Sequence, residues 1–346
     1  MKDSKLTFSD IKNDVDKNCL QIENQKASSG LFVIKSANSW IEQAKKKPIP
    51  KMLFSEFWHE HEICILFADS NLGKSALAIQ IADSISRNVA IKGFKLEAKQ
   101  QMVLYFDFEM SDKQFEGRYS KDYTKHFVFN DNLQRVEIDQ DADFPLDITF
   151  DEYLNQSFEQ SIIVTKAKIL IVDNITYLKG DNEKAKEALP LMKHLKKLKS
   201  KYGLSILILS HTPKRDLSKI ITRNDIQGSK MLINFVDSAF AIGESFKDES
   251  IRYIKQIKQR NTELIYGGDN VVICNLLKEF NILEFRFYGY GNELEHLRYL
   301  SDDDRAELES KVLLMRKETP DISFRAIAKE LGINHMKVKR IIDKNR

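Results

Sequence analysis

The stretch Ala68-Asp69-Ser70-Asn71-Leu72-Gly73-Lys74-Ser75 determines how the rest of this 346-residue sequence is interpreted. It follows the apolar run Ile63–Phe67 and precedes residues 76–85, whose apolar side chains recur at helical spacing. A buried strand, a tight loop and a helix in this order predict a phosphate-binding loop, in which backbone N–H groups and the helix N-terminus surround phosphate groups. In such a loop Lys74 would contact the β- and γ-phosphates of a nucleotide, and the Ser75 hydroxyl would bind Mg²⁺.

One position departs from the pattern G-x-x-x-x-G-K-[ST], because Ala68 stands where the first glycine is expected. If the backbone there requires a positive φ, alanine costs about 1 kcal/mol; if it does not, the methyl group is tolerated. The alternative is a chance Gly-Lys-Ser sequence at a strand–helix turn, and the flanking apolar patterns favour the phosphate-binding loop. The predicted contacts to ATP and its Mg²⁺ are Ala68, Asp69, Ser70, Asn71, Leu72, Gly73, Lys74 and Ser75.

Composition predicts a soluble protein with one large α/β domain and a smaller one, since 42% of the residues are hydrophobic and 30% are charged. The sequence contains no apolar run of about 18 residues, so no transmembrane helix is expected, and its polar N-terminus does not resemble a secretory signal. The widely spaced Cys19, Cys64 and Cys274 are best explained as free thiols in a reducing compartment, which favours a cytoplasmic location. The formal net charge of +3 is too small to imply nucleic acid by itself.

A second apolar run, Met102–Glu109, ends in carboxylates. Ligands and catalytic groups collect at the carboxyl ends of parallel strands, so Glu109 is a candidate to orient or deprotonate a water that attacks the γ-phosphate. Asp107 is the competing candidate, on the same face but one pleat deeper. Arg118 and Tyr119 follow on a predicted helix and would contact the nucleotide base, unless they serve only at the surface.

Two further apolar runs end in polar residues. Lys168–Asn174 contains Asp173, which has the form of the acidic group that holds a Mg²⁺-bound water in phosphate-loop NTPases. Ser205–His211 ends in a Ser-His pair that would sense the γ-phosphate and pass its state to the loop beyond. The helix predicted between these two strands ends at Gly203.

The loop of residues 212–230 is basic and has no aromatic side chains. Cations beside an ATP site would grip the phosphate backbone of single-stranded DNA, and without stacking the sequence preference would be weak. The predicted DNA contacts in this loop are Lys214, Arg215, Lys219, Arg223 and Lys230.

The remaining sequence contains predicted hairpins over residues 235–290 and then a different, helical pattern. Gly332 would form a tight turn between two short helices, and Asn334 would cap the second of them. Its predicted contacts to duplex DNA, as in a helix-turn-helix, are Lys337, Lys339 and Arg340. A small helical module that contacts another protein is the alternative.

With these elements assigned, residues 50–290 resemble the RecA-like ATPase family, and in particular the hexameric replicative helicases and related ATPases of plasmids and mobile elements. The resemblance rests on five stretches in the family order: 68–75, Glu109, Asp173, His211 and Lys258-Gln259-Arg260. In that family the second-strand glutamate is the catalytic base, and the Lys-x-Arg pair reaches into the neighbouring subunit's site as an arginine finger. The resemblance therefore implies that Glu109 is the base and that Arg260, with Lys258, acts in trans.

The expected fold class is α/β, a RecA-like P-loop NTPase with a mainly parallel central sheet and a small all-α C-terminal helix-turn-helix domain. The expected parts are a polar arm at 1–47, an ATPase domain at 48–295 and the helical domain at 296–346. The arm is either a flexible tail or a segment that packs on a neighbouring subunit, and it is shorter than the N-terminal domain of chromosomal helicases.

The expected function is an ATP-hydrolysing motor that forms a hexameric ring on single-stranded DNA, as a replicative helicase of a plasmid or mobile element. One alternative is an ATP-dependent DNA-binding regulator or initiator that does not unwind DNA. The others are a recombinase-like filament and a clock-like regulatory ATPase.

Overall fold

The computed structural model describes residues 27–29, 31–174, 188–213, 215–226, 229–298, 302–331, 333 and 335–345. The chain separates into two compact units, Met1–Pro50 and Lys51–Arg346. The predicted DNA contact Lys214, the turn at Gly332 and the cap at Asn334 lie outside the described residues, as does the side chain of Lys230.

The described part of the first unit contains an antiparallel hairpin and a helix. The hairpin pairs β1 (Ala27–Ser29) with β2 (Phe32–Ile34), and α1 (Ala37–Lys45) follows. The Ser36 side chain caps α1 by accepting a hydrogen bond from the Ser39 N–H, which explains why the helix begins before the weak apolar pattern of residues 39–44.

In the described residues, the second unit is built on a nine-stranded sheet. Its strands are β5 (Ile63–Ala68), β6 (Val103–Asp107), β9 (Leu133–Val136), β10 (Ile169–Asp173), β11 (Ser205–His211), β12 (Ser238–Glu244), β13 (Ile251–Lys258), β14 (Val271–Leu277) and β15 (Glu284–Gly291). Their order across the sheet is β15-β14-β13-β12-β5-β11-β10-β6-β9. The six strands from β12 to β9 run parallel, and the three from β13 to β15 complete one side as antiparallel hairpins. The predicted α/β fold class with a mainly parallel central sheet is confirmed.

Helices cover both faces of this sheet. They are α2 (Lys74–Arg87), α3 (Asp112–Arg118), α4 (Phe150–Thr165), α5 (Ala188–Tyr202) and α6 (Ser229–Phe235). Alternate residues of β5 enter two different cores: Ile65 packs with Phe158 and Leu195, whereas Leu66 packs with Leu77. Burial on both faces is why the central strands are unbroken apolar runs.

Two short hairpins are appended to the sheet. β3 (Met52–Phe54) pairs with β4 (Trp58–His59), and β7 (Ser120–Lys121) pairs with β8 (Lys125–His126). Neither these hairpins nor the edge strand β9 is predicted from the sequence, because each is four residues or shorter and too short for an apolar period to emerge.

The C-terminal residues form α7 (Asp302–Glu318), α8 (Phe324–Glu330) and α9 (His335–Lys344). These helices share a core of their own, in which Val312, Ile327, Val338 and Ile341 are buried, and Ala328 is the small residue at the contact. The three-part division of the chain stays a prediction.

None of the helices in the described part of the chain is both long enough and apolar enough to cross a membrane. Cys64 and Cys274 are buried free thiols, as the sequence predicts.

Candidate nucleotide-binding site

The phosphate-binding loop connects the end of β5 to the start of α2. Ala68 lies inside the extended strand, so its methyl group meets no positive-φ requirement and the departure from the glycine pattern costs nothing there. The left-handed positions are instead Asn71, at φ 63°, and Gly73, at φ 90°. A Cβ atom on Gly73 would lie 2.9 Å from side-chain atoms of both Leu276 and Phe285, so glycine is required there for space as well as conformation.

Lys74 is buried at the first position of α2. Its Nζ donates hydrogen bonds to the carbonyl oxygens of Ala68, at 3.1 Å, and Asp69, at 2.9 Å. Burial lowers the pKa of Lys74 from its usual range, and the nearby carboxylates of Asp173 and Glu109 oppose that shift. An ammonium in this position, among backbone carbonyls and facing acids, can bind the phosphates of a nucleotide.

Asp173 ends β10 and is completely buried. The Tyr105 hydroxyl donates to its Oδ2, but Oδ1 has no hydrogen-bond partner among the described residues. Burial raises the pKa of Asp173 to about 6, while the hydroxyls of Ser75 and Tyr105 oppose the shift. An unsatisfied carboxylate oxygen beside the Ser75 hydroxyl fits a magnesium ion, which prefers oxygen ligands and takes its others from phosphates and water. The fold therefore brings together the two predicted metal residues.

Glu109 lies in the turn after β6 and contacts two residues from other strand ends. Its Oε1 is 3.1 Å from Nε2 of His211, and the Asn174 amide nitrogen contacts the same oxygen and lies 2.9 Å from the same imidazole nitrogen. The hydrogen bond with His211 lowers the pKa of Glu109 despite partial burial, and the charges of Lys74 and Arg118 act in the same direction. Glu109 is thus held ionised, as a base that accepts a proton from water must be.

Asn174 is a site residue that the sequence analysis did not identify. The available signal was its position directly after Asp173 at the end of an apolar strand. Its contacts to Glu109 and His211 depend on residues 65 and 37 positions away, which no local pattern reveals.

Asp107, the competing candidate for the base, is engaged in hydrogen bonds that hold the local structure. Its Oδ1 accepts the backbone N–H groups of Glu109 and Met110, and its Oδ2 accepts from Arg135 Nε at 2.9 Å. The sequence suggested that Glu109 lies one pleat further along the same strand as Asp107. Instead, β6 ends at Asp107, and Glu109 lies in the turn that follows. Asp107 therefore shapes the turn that presents Glu109.

Arg118 and Tyr119, the two predicted base contacts, differ in their surroundings. Arg118 ends α3 and lines an open pocket of about 700 Å³ together with Glu109, Gln114 and Tyr123. Tyr119 is buried against Phe115 and Phe129, so the prediction that it contacts the nucleotide base is wrong. Tyr119 is buried because its ring packs against these two aromatic side chains.

Lys258 and Arg260 lie at the opposite edge of the sheet from the phosphate-binding loop. Ala239 pairs with Lys258 on one side and with Ile65 on the other. Arg260 lies two residues below this level and Ala68 three residues above it, so they are about 16 Å apart along the strand direction at ~3.3 Å per residue. The Lys258 Nζ donates to the carbonyl oxygens of Ile233, in the last turn of α6, and Val236, directly after it, which is a structural contact. Neither side chain approaches the phosphate-binding loop of its own chain.

The predicted DNA contacts differ in exposure. Arg215 is partly buried beside Asp69 and Thr212, Lys219 pairs with Asp216 at 3.3 Å, and Arg223 is exposed in a short 3₁₀ turn. On α9, Lys339 and Arg340 are exposed and Lys337 is partly buried. The described cations of residues 212–230 do not form a single uniform basic face.

Comparison with known proteins covers the part of the chain that contains the site. In a search of solved structures, a KaiC-like protein from the hyperthermophilic archaeon Pyrococcus horikoshii OT3 is similar at 11% sequence identity and a TM-score of 0.46, over 67% of this chain and 91% of that one. No curated protein sequence matches. A family model described as AAA domain matches residues 34–216, slightly more than half of the sequence, and this range includes Lys74, Glu109, Asp173 and His211. The chain therefore belongs to the AAA-domain family of P-loop ATPases.

Proposed function

We propose that this protein hydrolyses ATP with Mg²⁺ and assembles into a hexameric ring that moves on single-stranded DNA, as a replicative helicase of a plasmid or mobile element. The observation that carries the proposal is the separation of two sets of charged groups. The phosphate-binding loop and Glu109 lie at the carboxyl edge of the parallel strands, whereas Arg260 lies at the amino edge of the same sheet.

At the carboxyl edge, each residue has a distinct task in hydrolysis. The loop N–H groups and Lys74 would bind the phosphates, Ser75 and Asp173 would hold Mg²⁺, and Glu109 would orient and deprotonate the attacking water. His211 and Asn174 hold the Glu109 carboxylate by the contacts described above. Bound Mg²⁺ supplies charge neutralisation at the phosphates.

Charge that develops on the transferred phosphoryl group requires a further cation. An arginine finger contributes about 10³–10⁵ in rate. In this chain the charges of Lys74 and Arg118 act on Glu109, and Lys113 lines the same pocket, but none of the three comes from a neighbouring subunit. Arg260 cannot reach the site of its own chain, but head-to-tail packing of subunits would bring it to the next one. Such heterologous contacts form a ring when the rotation between subunits closes and a filament when it does not, and the ring is the assembly that we propose.

The basic residues of 212–230 are the proposed contacts to single-stranded DNA. Arg215 supports this because it lies beside the phosphate-binding loop residues Asp69 and Leu72. A change at the phosphates would therefore be transmitted directly to the loop that grips the DNA backbone. The exposed cations of α9 are the proposed contacts to duplex DNA.

A regulator or initiator is the second candidate, and the separate core of the three C-terminal helices favours it. Such a protein would hydrolyse ATP and select a DNA site without separating strands. A forked duplex with a fluorescent pair distinguishes the two, because only the helicase releases a strand in the presence of ATP. An open filament in electron micrographs would instead favour a recombinase-like ATPase.

The test of the trans mechanism mixes two inactive variants, Lys74→Ala and Arg260→Ala. Lys74→Ala should lose tight ATP binding, and Arg260→Ala should bind ATP and form rings but hydrolyse it about 10³-fold more slowly or worse. In mixed rings some interfaces pair an intact loop with an intact Arg260, so activity should partly return. Arg286→Ala, at a partly exposed arginine of β15, is the matched control and should retain activity. If the mixture stays inactive while native mass spectrometry shows subunit exchange, the trans mechanism is wrong.

A further inference from the structure

We propose that Asp237 is a positioning residue, which fixes the Arg260 guanidinium in the orientation that the neighbouring subunit's ATP site requires. This inference rests on the proposed function, because it assumes that Arg260 acts in trans. Nothing in the sequence resemblance assigns a role to Asp237.

Asp237 lies between α6 and β12, and both oxygens of its carboxylate accept hydrogen bonds. Its Oδ1 accepts a hydrogen bond from Nη1 of Arg260 at 3.0 Å. Its Oδ2 accepts from Nζ of Lys199, at 2.8 Å, and from the backbone N–H of Ile63, at 3.0 Å. The Asp237 N–H in turn donates to the Ile63 carbonyl at 2.8 Å. The carboxylate that faces Arg260 is therefore fixed to the first residue of β5.

Charge and exposure make this pair suitable for presenting a guanidinium to another subunit. The side chain of Asp237 is 20% exposed, whereas that of Arg260 is 52% exposed. Burial raises the pKa of Asp237, but hydrogen bonds from Lys199 and the Ile63 N–H outweigh it, so the net pKa is lowered and the carboxylate stays ionised. Only one guanidinium nitrogen is engaged by Asp237, which leaves other N–H donors for a phosphate oxygen.

The backbone around Arg260 is fixed independently of Asp237. The Gln259 side chain donates to the Glu56 carbonyl and accepts from the N–H groups of Arg260 and Asn261. Asn261 in turn donates to Glu62 at 2.8 Å. Removal of the Asp237 charge should therefore free the guanidinium without displacing the loop that carries it.

Asp237 has a second possible route of action, because it also binds the start of β5, the strand that leads to the phosphate-binding loop of its own chain. A role through the guanidinium would affect the next subunit's site. A role through β5 would affect its own site. Subunit mixing separates these routes, since a defect in the finger is repaired by a neighbour and a defect in the loop is not.

The experiment uses Asp237→Asn, which retains an oxygen acceptor for the Ile63 N–H and removes the charge. We expect rings of wild-type stoichiometry, an unchanged KM for ATP and a kcat lower by about 10–100-fold, because a misplaced catalytic group costs on this order. When Lys74→Ala subunits are added, turnover per Asp237→Asn subunit should rise, since these subunits bring a correctly held Arg260 to intact phosphate-binding loops. Asp237→Glu retains the charge, so its kcat should lie between those of the wild-type protein and Asp237→Asn.

The controls separate failure of this inference from failure of the proposed function. Asp269→Asn, at an exposed aspartate, should leave kcat unchanged. If mixing restores Arg260→Ala but not Asp237→Asn, the positioning role is wrong and the trans mechanism stands. If mixing restores neither, both are wrong. If Asp237→Asn does not assemble, the same mixing assay with Asp237→Glu decides, and an absence of recovery there overturns the inference.

Discussion

At the scale of single residues, two carboxylates that stand two positions apart have opposite environments. Asp107 is bound by Arg135 and two backbone N–H groups, so its oxygens are already satisfied. Glu109 is about a third exposed and faces His211, Asn174 and the open pocket beside Arg118. The structure therefore favours Glu109 as the residue that can accept a proton from water.

The first prediction compares Glu109→Gln with Asp107→Asn. Glu109→Gln should bind ATP normally and lower single-turnover hydrolysis by about 10²–10⁴-fold, because the amide cannot accept a proton. Asp107→Asn should mainly lower stability, by ~3 kcal/mol, because it leaves Arg135 without its buried partner. Rapid-quench hydrolysis and urea unfolding measure the two effects. If Asp107→Asn loses hydrolysis while Glu109→Gln hydrolyses ATP normally, Asp107 is the base.

Glu62, also at the residue scale, makes stability dependent on pH. It is buried, it accepts hydrogen bonds from His59 N–H, Ser238 and Asn261, and burial raises its pKa to about 7. The folded state thus binds this proton more tightly than the unfolded state, whose pKa is near 4.5. The stabilisation of the folded state by this proton is fully present at a pH below the unfolded-state pKa of Glu62. It is lost as the pH rises through the folded-state pKa.

The second prediction is that Glu62→Gln removes this dependence. The wild-type free energy of unfolding should fall between pH 5 and pH 7.5 relative to that of the variant, by up to ~3 kcal/mol. Glutamine can retain the hydrogen bonds if the Asn261 amide rotates to present its oxygen. Urea unfolding of both proteins at the two pH values is the measurement, and parallel pH curves would show that the Glu62 pKa is not raised.

At the scale of elements, the C-terminal helices α7, α8 and α9 share a hydrophobic core of their own, and α8 has a side-chain cap at its N-terminus. Ser323 caps α8 by accepting a hydrogen bond from the Ala326 N–H at 3.1 Å. None of the phosphate-binding or catalytic residues lies in these helices, and the family match ends before them. Their removal should therefore leave the ATPase site complete.

The third prediction is that deletion of residues 304–346 leaves DNA-stimulated ATP hydrolysis largely intact and weakens binding to duplex DNA. Loss of three phosphate contacts would lower the slope of log K against log salt by roughly 2–3. The double variant Lys339→Gln and Arg340→Gln is the control that keeps the helices and removes exposed charge. Fluorescence anisotropy over a salt series measures the slope. Unchanged duplex affinity in the truncated protein would instead favour a protein-contact role.

At the scale of the whole molecule, the sheet has two chemically different edges. Acids, Lys74 and His211 meet at the carboxyl edge, whereas Asp237, Lys199 and Arg260 meet at the amino edge. Charged groups at both ends of the strands are what the proposed head-to-tail assembly requires. In such an assembly each ATP site is completed by the next copy, which is the basis of both proposals made above.

Much of the fold and part of the site could be predicted from the sequence, because their signals are local. Four unbroken apolar runs identified the central strands, since strands buried on both faces need apolar residues at every position. The spacing of Gly73, Lys74 and Ser75 identified the phosphate-binding loop. The acidic residues at the ends of two strands followed from the rule that parallel strands bring their carboxyl ends to one edge.

The tertiary structure decided which side chains meet and which are occupied elsewhere. Glu109 and His211 are 102 positions apart and touch only because β11 lies between the strand that carries the phosphate-binding loop and the strand that ends in Asp173. Strand order also set Arg260 against Asp237. Burial of Tyr119 likewise depended on packing with Phe129. Such contacts between distant segments depend on how strands and helices are arranged in space, and a pattern within a few residues does not encode that arrangement.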